Sequence, residues 1–437
     1  MKKLTILFLF LLSLVKAQSQ SLYFPPITGN TWDTISPTRL GWCQTRIDTL
    51  YNYLQSTNTK GFIVLKDGKI VLEKYFGSFT KDSIHYWASA GKSLTAMIIG
   101  IAQQKGLLNI NDSVSKYLGV GWTSETRQKE KLITIKSLLT MTSGMDDDTT
   151  AQCTNLSNNA ACLRYKVDAG TRWAYHTGAY RKLEDVVSTV TGQNYTVATN
   201  AYIGSKTGMN GLWFQSVYYS KPRDMARFGL LALNKGVWQN DTILKDTSYF
   251  RAMTNTSQNF NLSYGYLWWL NGKTSAMIPG SQFVIPTKLI PNAPNDLFCA
   301  LGKNDQKIYV VPSTKMVVIR IGESAYGAAA LSPYDTLIWS YINKLSNGCI
   351  TTAIEKEQRK DIPDFKLFPN PANNFISFSG FDNEYNIHYT ITNLYGQTIL
   401  ENDTQNHSID VSNLASGAYI LNVQTDTKQA IKQFIKN

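Results

Sequence analysis

The feature that most restricts the fold is the placement of β-rich runs at both ends of a long central stretch, with helical periodicity between them. Phe62-Ile63-Val64-Leu65 and Ile70-Val71-Leu72 flank Lys66-Asp67-Gly68-Lys69, and Asp-Gly between such runs is a strong hairpin signal. Far along the chain, Lys307 to Val311 and Met316 to Ile321 read as a second strand pair joined at Pro312-Ser313-Thr314. Residues 42–54 read as a helix with Ile47, Leu50, Tyr51 and Leu54 on one face. Leu94, Met97, Ile98 and Ile101 repeat with helical spacing, and Gly106 sits where a C-terminal cap belongs. Ser332-Pro333-Tyr334-Asp335 opens a last helix as a capping box with Pro at the first position. Residues 107–260 read mostly as helices and loops. The economical arrangement is an α+β unit: an antiparallel sheet built from both ends, flanked by terminal helices, with a helical subdomain inserted and a cleft between the two parts.

Composition divides the 437 residues further. Lys2 and Lys3, the apolar run Leu4 to Val15 and the small-residue site Val15-Lys16-Ala17 have the form of a secretory signal peptide over 1–17. Residues 350–364 are polar and charged and read as a linker. Beyond them Ile376 to Phe378, Tyr389 to Leu394, Thr398 to Leu400 and Tyr419 to Val423 read as short strands of an all-β sandwich. The formal net charge is +12, yet 361–437 hold four Lys against eight Asp or Glu, so the positive excess lies in the middle, 18–360, most of which is the large module 18–349. No Lys/Arg run accompanies it, so nucleic acid is not an expected partner. Export permits disulfides. Cys153 with Cys162, and Cys43 with Cys349, are candidate pairs that would leave Cys299 odd. No C-x-x-C or H-E-x-x-H spacing occurs, so no metal or other cofactor is expected.

The chemistry follows from what is available. Of four histidines, only His85 and His176 lie in the large module, and no G-x-S-x-G elbow is present. Ser-x-x-Lys, with lysine in place of histidine as the base, occurs four times, as Ser13/Lys16, Ser78/Lys81, Ser89/Lys92 and Ser113/Lys116. Ser13 lies in the leader, and Ser78 and Ser113 lie in polar turns. Ser89 opens the apolar helix, where the positive helix end favours developing negative charge. Lys92 shares its face, and burial would free a neutral amine to take the Ser89 proton. An N-cap serine followed by a solvated lysine satisfies the same spacing.

Trp87-Ala88-Ser89-Ala90-Gly91-Lys92-Ser93-Leu94-Thr95 resembles the nucleophile helix of the penicillin-recognising serine hydrolases, the β-lactamase/transpeptidase-like group that includes class C β-lactamases, D-alanyl-D-alanine carboxypeptidases and related esterases. Asp112 to Leu118, Ile133 to Met145, Arg223 to Gly229 and Tyr264 to Trp269 resemble the same family in the same order. By that resemblance Tyr175, in Tyr175-His176-Thr177, is the second-motif tyrosine, a proton shuttle beside Lys92, with Thr177, a candidate substrate-binding residue, where the family usually has Asn. Literal Tyr341-Ile342-Asn343 and Lys206-Thr207-Gly208 are read as decoys. The third motif maps to Gly302-Lys303-Asn304-Asp305-Gln306, with Lys303 and Asn304 as candidate substrate-binding residues and Asp305 departing from the family's Gly. An oxyanion hole would use the Ser89 N–H and a second, unassigned donor from that strand start. His85 and His176 are expected to pack or hydrogen-bond, and Asp146-Asp147-Asp148 to form a solvated loop more readily than a cation site. Phe365 to Ala372, Leu414 to Tyr419, Lys432 and Lys436 resemble a type A sorting domain of the type IX secretion system, so the resemblance implies that machinery as a partner and delivery to the cell surface or beyond. The expectation is an exported serine hydrolase acting on an ester or amide of a small molecule or peptide. A β-lactamase or carboxypeptidase, and a non-catalytic binder of cell-wall peptides on the same fold, are the alternatives.

Overall fold

The computed structural model describes residues 22–327, 331–346, 360–361, 365–381, 384, 387–394, 397–425 and 428–437. The leader and Cys349 lie outside these residues, and with Cys349 the Cys43–Cys349 pairing. The chain divides into two compact units, 1–349 and 350–437. Among the described residues no helix is long and apolar enough to cross a membrane.

The first unit is built on a six-stranded antiparallel sheet in the order Lys69–Tyr75, Thr59–Lys66, Met316–Gly322, Gln306–Val311, Phe298–Gly302, Trp269–Leu270. The N-terminal hairpin is therefore zipped directly onto the late strand pair, with Phe62 opposite Arg320 and Val64 opposite Val318. Alternation along Gln306–Val311 sends its side chains to opposite faces. On one face Lys307 and Tyr309 reach Asp335 of the last helix, Pro333–Ile342, at 2.8 and 2.7 Å. That helix lies beside the first, Gln44–Ser56, where Tyr53 stacks on Tyr341 with ring centroids 4.4 Å apart. On the other face Ile308 and Val317 meet helix Pro222–Leu233 at Gly229. Helix Gly91–Gln104 is buried at every position from Gly91 to Ala102, as expected of a helix apolar all round. It ends just before Gly106, which has the left-handed φ of +73° and donates its N–H to Gln103 O.

Several of the described elements depart from the sequence reading, among them the following. Gly211–Phe214 and Val217–Ser220 form a hairpin within the stretch read as helices and loops, and it pairs with His85–Tyr86. Its turn residues, Gln215 and Ser216, take positive φ without Gly or Asn, so the usual turn signal is missing. Phe298–Gly302 adds a strand that small residues concealed. Lys360–Asp361, inside the span read as linker, pairs with Lys428–Gln429.

The second unit is all-β. A five-stranded sheet (Lys360–Asp361, Lys428–Lys436, Gly417–Gln424, Ile387–Asn393, Thr398–Thr404) and a three-stranded sheet (Lys366–Phe368, Phe375–Ser379, Ser408–Asp410) share a core of Phe365, Ile376, Phe378, Phe381, Ile391, Leu421 and Phe434.

A Cβ at Gly229 would stand 2.5 Å from Val317 Cγ1 and 3.2 Å from Ile308 Cγ2. Val317 is fully buried, and a β-branched side chain is stiff about its first torsion. Gly229→Ala is expected to cost about 1–3 kcal/mol, read as a lower urea midpoint; an unchanged midpoint would mean that the helix does not seat this closely.

Candidate active site

The site begins where His85–Tyr86 hands over to the buried helix. Trp87 is fixed by its N–H to Tyr218 O (2.8 Å) and its indole N–H to Ser220 Oγ (2.8 Å). Ala88 then takes a left-handed φ of +47°, and Ala88–Ala90 form a 3₁₀ turn that runs into the helix. Ser89 thus stands in this turn, one step ahead of the helix it was read to open. Lys92 Nζ lies 2.8 Å from Ser89 Oγ. The amine sits over the faces of Tyr175 and Tyr180, 5.0 and 4.8 Å from the ring centroids. Burial pushes its pKa down to about 7, assisted by the positive Arg181 and opposed by Glu184.

Tyr175 reaches the same point from the strand-like run before helix Thr177–Thr191. Ala174 N–H donates to Met141 O (2.9 Å), and the Tyr175 ring stacks on Trp269 (5.8 Å, 20°) and meets Tyr264 edge-on. Burial raises its phenol pKa; the hydrogen bond with Ser89 acts the other way. Thr177 is buried at the first position of the helix. His176 Nδ1 accepts the Ala179 N–H at 3.1 Å, which leaves the ring proton on Nε2, 3.1 Å from Asp146 O. This histidine is a helix cap. His85 is half-buried, packs on Tyr86 and Phe79 and is held near pKa 4, chiefly by desolvation.

The third wall is the turn after Phe298–Gly302. An added Cβ on Gly302 would stand 2.3 Å from Trp87 O and 3.2 Å from Ala88 Cβ, so this strand end lies against the Ser89 turn. Lys303 is exposed at that turn. Asn304 is partly buried, and its amide donates to Tyr86 Oη at 2.8 Å. Asp305 is fully buried; its carboxylate accepts from Ser332 Oγ (2.8 Å) and Ala325 N–H (3.1 Å) and pairs with Lys307 (3.2 Å). Arg320 donates to the carbonyls of Asn304 and Asp305 at 3.0 and 3.2 Å.

The remaining candidates have other duties. Lys81 pairs with Asp82 and Lys116 with Asp112. Tyr341 stacks in the terminal helix pair, and Lys206 pairs with Asp241 while Thr207 O accepts from Arg227. Asp146, Asp147 and Asp148 could bring three carboxylates to one ion, yet Arg164 and Lys166 hold Asp146, Arg172 holds Asp147, and Lys166 holds Asp148. Cys153 and Cys162 are bonded to each other, and Cys299 is free and buried. The loop closed by Cys153 and Cys162 lies on helix Thr177–Thr191: Asn155 O and Leu156 O accept from Gly178 N–H and Arg181 Nη1. The sequence reading missed Tyr180, Arg181, Glu184 and Arg320. The signal for Glu184 was present, since it falls on the buried stripe of Tyr180, Leu183 and Val187.

Residues 54–339 match the family model described as Beta-lactamase, and residues 366–437 match that of the Secretion system C-terminal sorting domain. Protein flp of Staphylococcus aureus is 29% identical over 236 residues, covering 49% of this chain and 47% of that protein. The chain thus spans about half the length of these curated relatives. A penicillin-binding protein homologue from Caulobacter crescentus superposes with a TM-score of 0.53 at 12% identity, over 69% of this chain and 98% of that one. EstA from Arthrobacter nitroguajacolicus superposes with a TM-score of 0.54 at 15% identity, over 73% and 99%. At such identities the likeness is one of fold.

The burial of Lys92 has a direct readout. In a ¹⁵N-lysine NMR titration one side-chain amine is expected to titrate near pH 7, well below the usual lysine value of about 10.4, and to vanish in Lys92→Met. Uniformly high midpoints would show that the amine stays protonated.

Proposed function

The chain belongs to the beta-lactamase family and carries a C-terminal secretion sorting domain, and from that premise we propose that it is an exported serine hydrolase that cleaves an ester or amide through an acyl-enzyme on Ser89. The observation that carries the reading is the 2.8 Å approach of a buried, readily deprotonated Lys92 amine to Ser89 Oγ.

In this mechanism neutral Lys92 takes the Ser89 proton as Oγ attacks the carbonyl carbon, and the carbonyl π electrons move onto its oxygen. Two backbone donors suit that oxyanion: the N–H of Ser89 and the N–H of Lys303, which follows the Gly302 contact with the Ser89 turn. Collapse of the tetrahedral adduct expels the alcohol or amine. Tyr175, kept in its phenol form by burial, relays the proton from Lys92 to that leaving group. Water then attacks the acyl carbon, giving its proton to the same pair, and the acid leaves with Ser89 restored.

In this reading Thr177, next but one to Tyr175 in the chain, and the exposed Lys303 contact the substrate, and Lys303 offers its charge to a substrate carboxylate. Asn304, engaged on Tyr86, contributes by holding the turn. A threonine offers a single, shorter hydroxyl where an asparagine offers two amide donors and a carbonyl acceptor, which weighs against a site that holds a substrate amide as β-lactamases do. The sorting domain supports the type IX secretion machinery as partner and the cell surface or medium as destination.

Ser89→Ala is expected to abolish adduct formation with a fluorophosphonate probe, seen by intact mass, and to cut nitrophenyl-ester turnover by at least ~10³-fold. Adduct formation and turnover that survive in the variant would refute Ser89 as nucleophile. For wild type, kcat/KM is expected to rise as pH passes about 7, where Lys92 loses its proton. Gly302→Ala, which drives a methyl group into Trp87 O, is expected to lower kcat about 10²-fold while Phe298–Gly302 remains folded by far-UV circular dichroism. Efficient hydrolysis of a chromogenic cephalosporin would instead favour the β-lactamase reading.

A further inference from the structure

We infer that Glu184 is a positioning residue of this site, a buried counter-charge that sets how readily Lys92 takes and releases a proton, with Arg181 as its opponent. The inference rests on the acyl-enzyme reading above and adds a residue to it.

Glu184 lies one turn after Tyr180 on helix Thr177–Thr191 and is only 8% exposed. Its Oε1 makes no hydrogen bond. A buried carboxylate with an open acceptor is costly, so its presence on an otherwise apolar stripe calls for a balancing charge. The amine of Lys92 stands over the Tyr180 ring at 4.8 Å. That ring is fixed by a hydrogen-bonded pair of contacts, since Thr95 Oγ1 lies 3.0 Å from Tyr180 Oη and accepts the Tyr195 hydroxyl at 2.8 Å. Glu184 thus stands one helical turn from the residue whose immobilised ring carries the Lys92 amine, on the same face of the helix.

The groups that face Glu184 come from each neighbouring element. They are Lys92 from the nucleophile helix, Tyr180 and Arg181 from its own helix, Tyr195 from Tyr195–Thr199, and Ser216 from the tip of the hairpin. Desolvation raises its pKa to about 7 against the pull of Ser216, Tyr180, Arg181 and Lys92. Around neutral pH the pair can hold one proton between them. Either Lys92 is neutral and Glu184 protonated, or Lys92 is an ammonium and Glu184 a carboxylate. Above that range both groups are deprotonated; when acylation then delivers the Ser89 proton to Lys92, the Glu184 carboxylate meets the new ammonium charge, and the serine proton is the one the pair holds. Arg181, anchored by Nη1 to Leu156 O of the disulfide loop at 2.9 Å, acts in the opposite sense and favours neutral Lys92.

The test uses the full chain and two readouts. Removing the carboxylate in Glu184→Gln lowers the Lys92 pKa, so the acidic limb of kcat/KM for a nitrophenyl ester is expected to move down by about one pH unit and the plateau to fall roughly 10-fold as the base weakens. Arg181→Gln is expected to move the same limb upward. The Lys92 NMR midpoint should shift in the same direction as the limb in each variant. A structural role alone would lower the melting temperature without opposite shifts. Limbs and midpoints that coincide with wild type in both variants overturn the inference. If Glu184→Gln does not fold, a limb that fails to rise in Arg181→Gln overturns it. If wild type forms no fluorophosphonate adduct, the acyl-enzyme reading fails first, and a Lys92 midpoint unmoved by Glu184→Gln would then dispose of the pairing as well.

Discussion

A lysine amine kept out of water and beside a serine hydroxyl organises the first unit. Desolvation disfavours the ammonium. The two aromatic faces and the Glu184 carboxylate favour it, each ring by about 0.5–2 kcal/mol. The downward shift of Lys92 shows that desolvation wins. Such a balance requires a helix buried on every side, and Gly91–Gln104 is one. Its surroundings follow from that demand: the Tyr175 helix against one flank, the aromatic run Tyr264–Trp269 closing over Tyr175, and Tyr249 packed so near Gly100 that a Cβ there would stand 2.4 Å from Cε1.

The backbone around the amine is held in conformations it would not adopt alone. Ala88, Met141, Leu267, Asn304 and Asp305 all have positive φ, each costing on the order of 1–3 kcal/mol for a non-glycine residue. Every one is tied down by a neighbour at the site. Met141 O receives the residue before Tyr175, and Leu267 takes Leu139 O through its N–H while its own carbonyl accepts from Ser93 Oγ at 2.6 Å. Ala88 is clamped between the Trp87 hydrogen bonds and Gly302. Strain at five places within one locality, each with its own restraint, fits a site set in advance for one geometry.

How much of this the sequence disclosed depended on whether the signal was local. Asp67-Gly68, the 3.6-residue stripe from Leu94 to Ile101 and the Ser332–Asp335 capping box each act over a few residues, and each element stands close to where its pattern put it. The sheet built from both ends was legible for the same reason. The hairpin Gly211–Ser220 was not, because its turn is imposed by pairing with His85–Tyr86 rather than by its own residues. The approach of Ser89, Lys92 and Tyr175 rested on motif order, whereas Glu184 belongs to no motif and was passed over although it falls on the buried stripe of its helix. It comes into view only once the fold brings the Lys92 amine over the ring of Tyr180, one turn before Glu184.

The turn Gly302-Lys303-Asn304-Asp305 shows why a departure from a motif need not dismantle a site. A buried aspartate in place of glycine would ordinarily leave a charge without solvent, at a cost of several kcal/mol. Here Lys307 supplies the opposite charge and Ser332 and Ala325 the hydrogen bonds. Lys307 in turn reaches Asp335 of the last helix. Arg320, one strand over, fixes the carbonyls of Asn304 and Asp305. The left-handed backbone that a glycine would adopt freely is therefore enforced from below by two cations of the central sheet. The consequence is a division of labour. Asp305 faces inward and sets the shape of the turn, which frees Lys303 to face outward beside Ser89. The sheet assembled from the two ends of the unit thereby supports the turn that lies against Trp87 and Ala88.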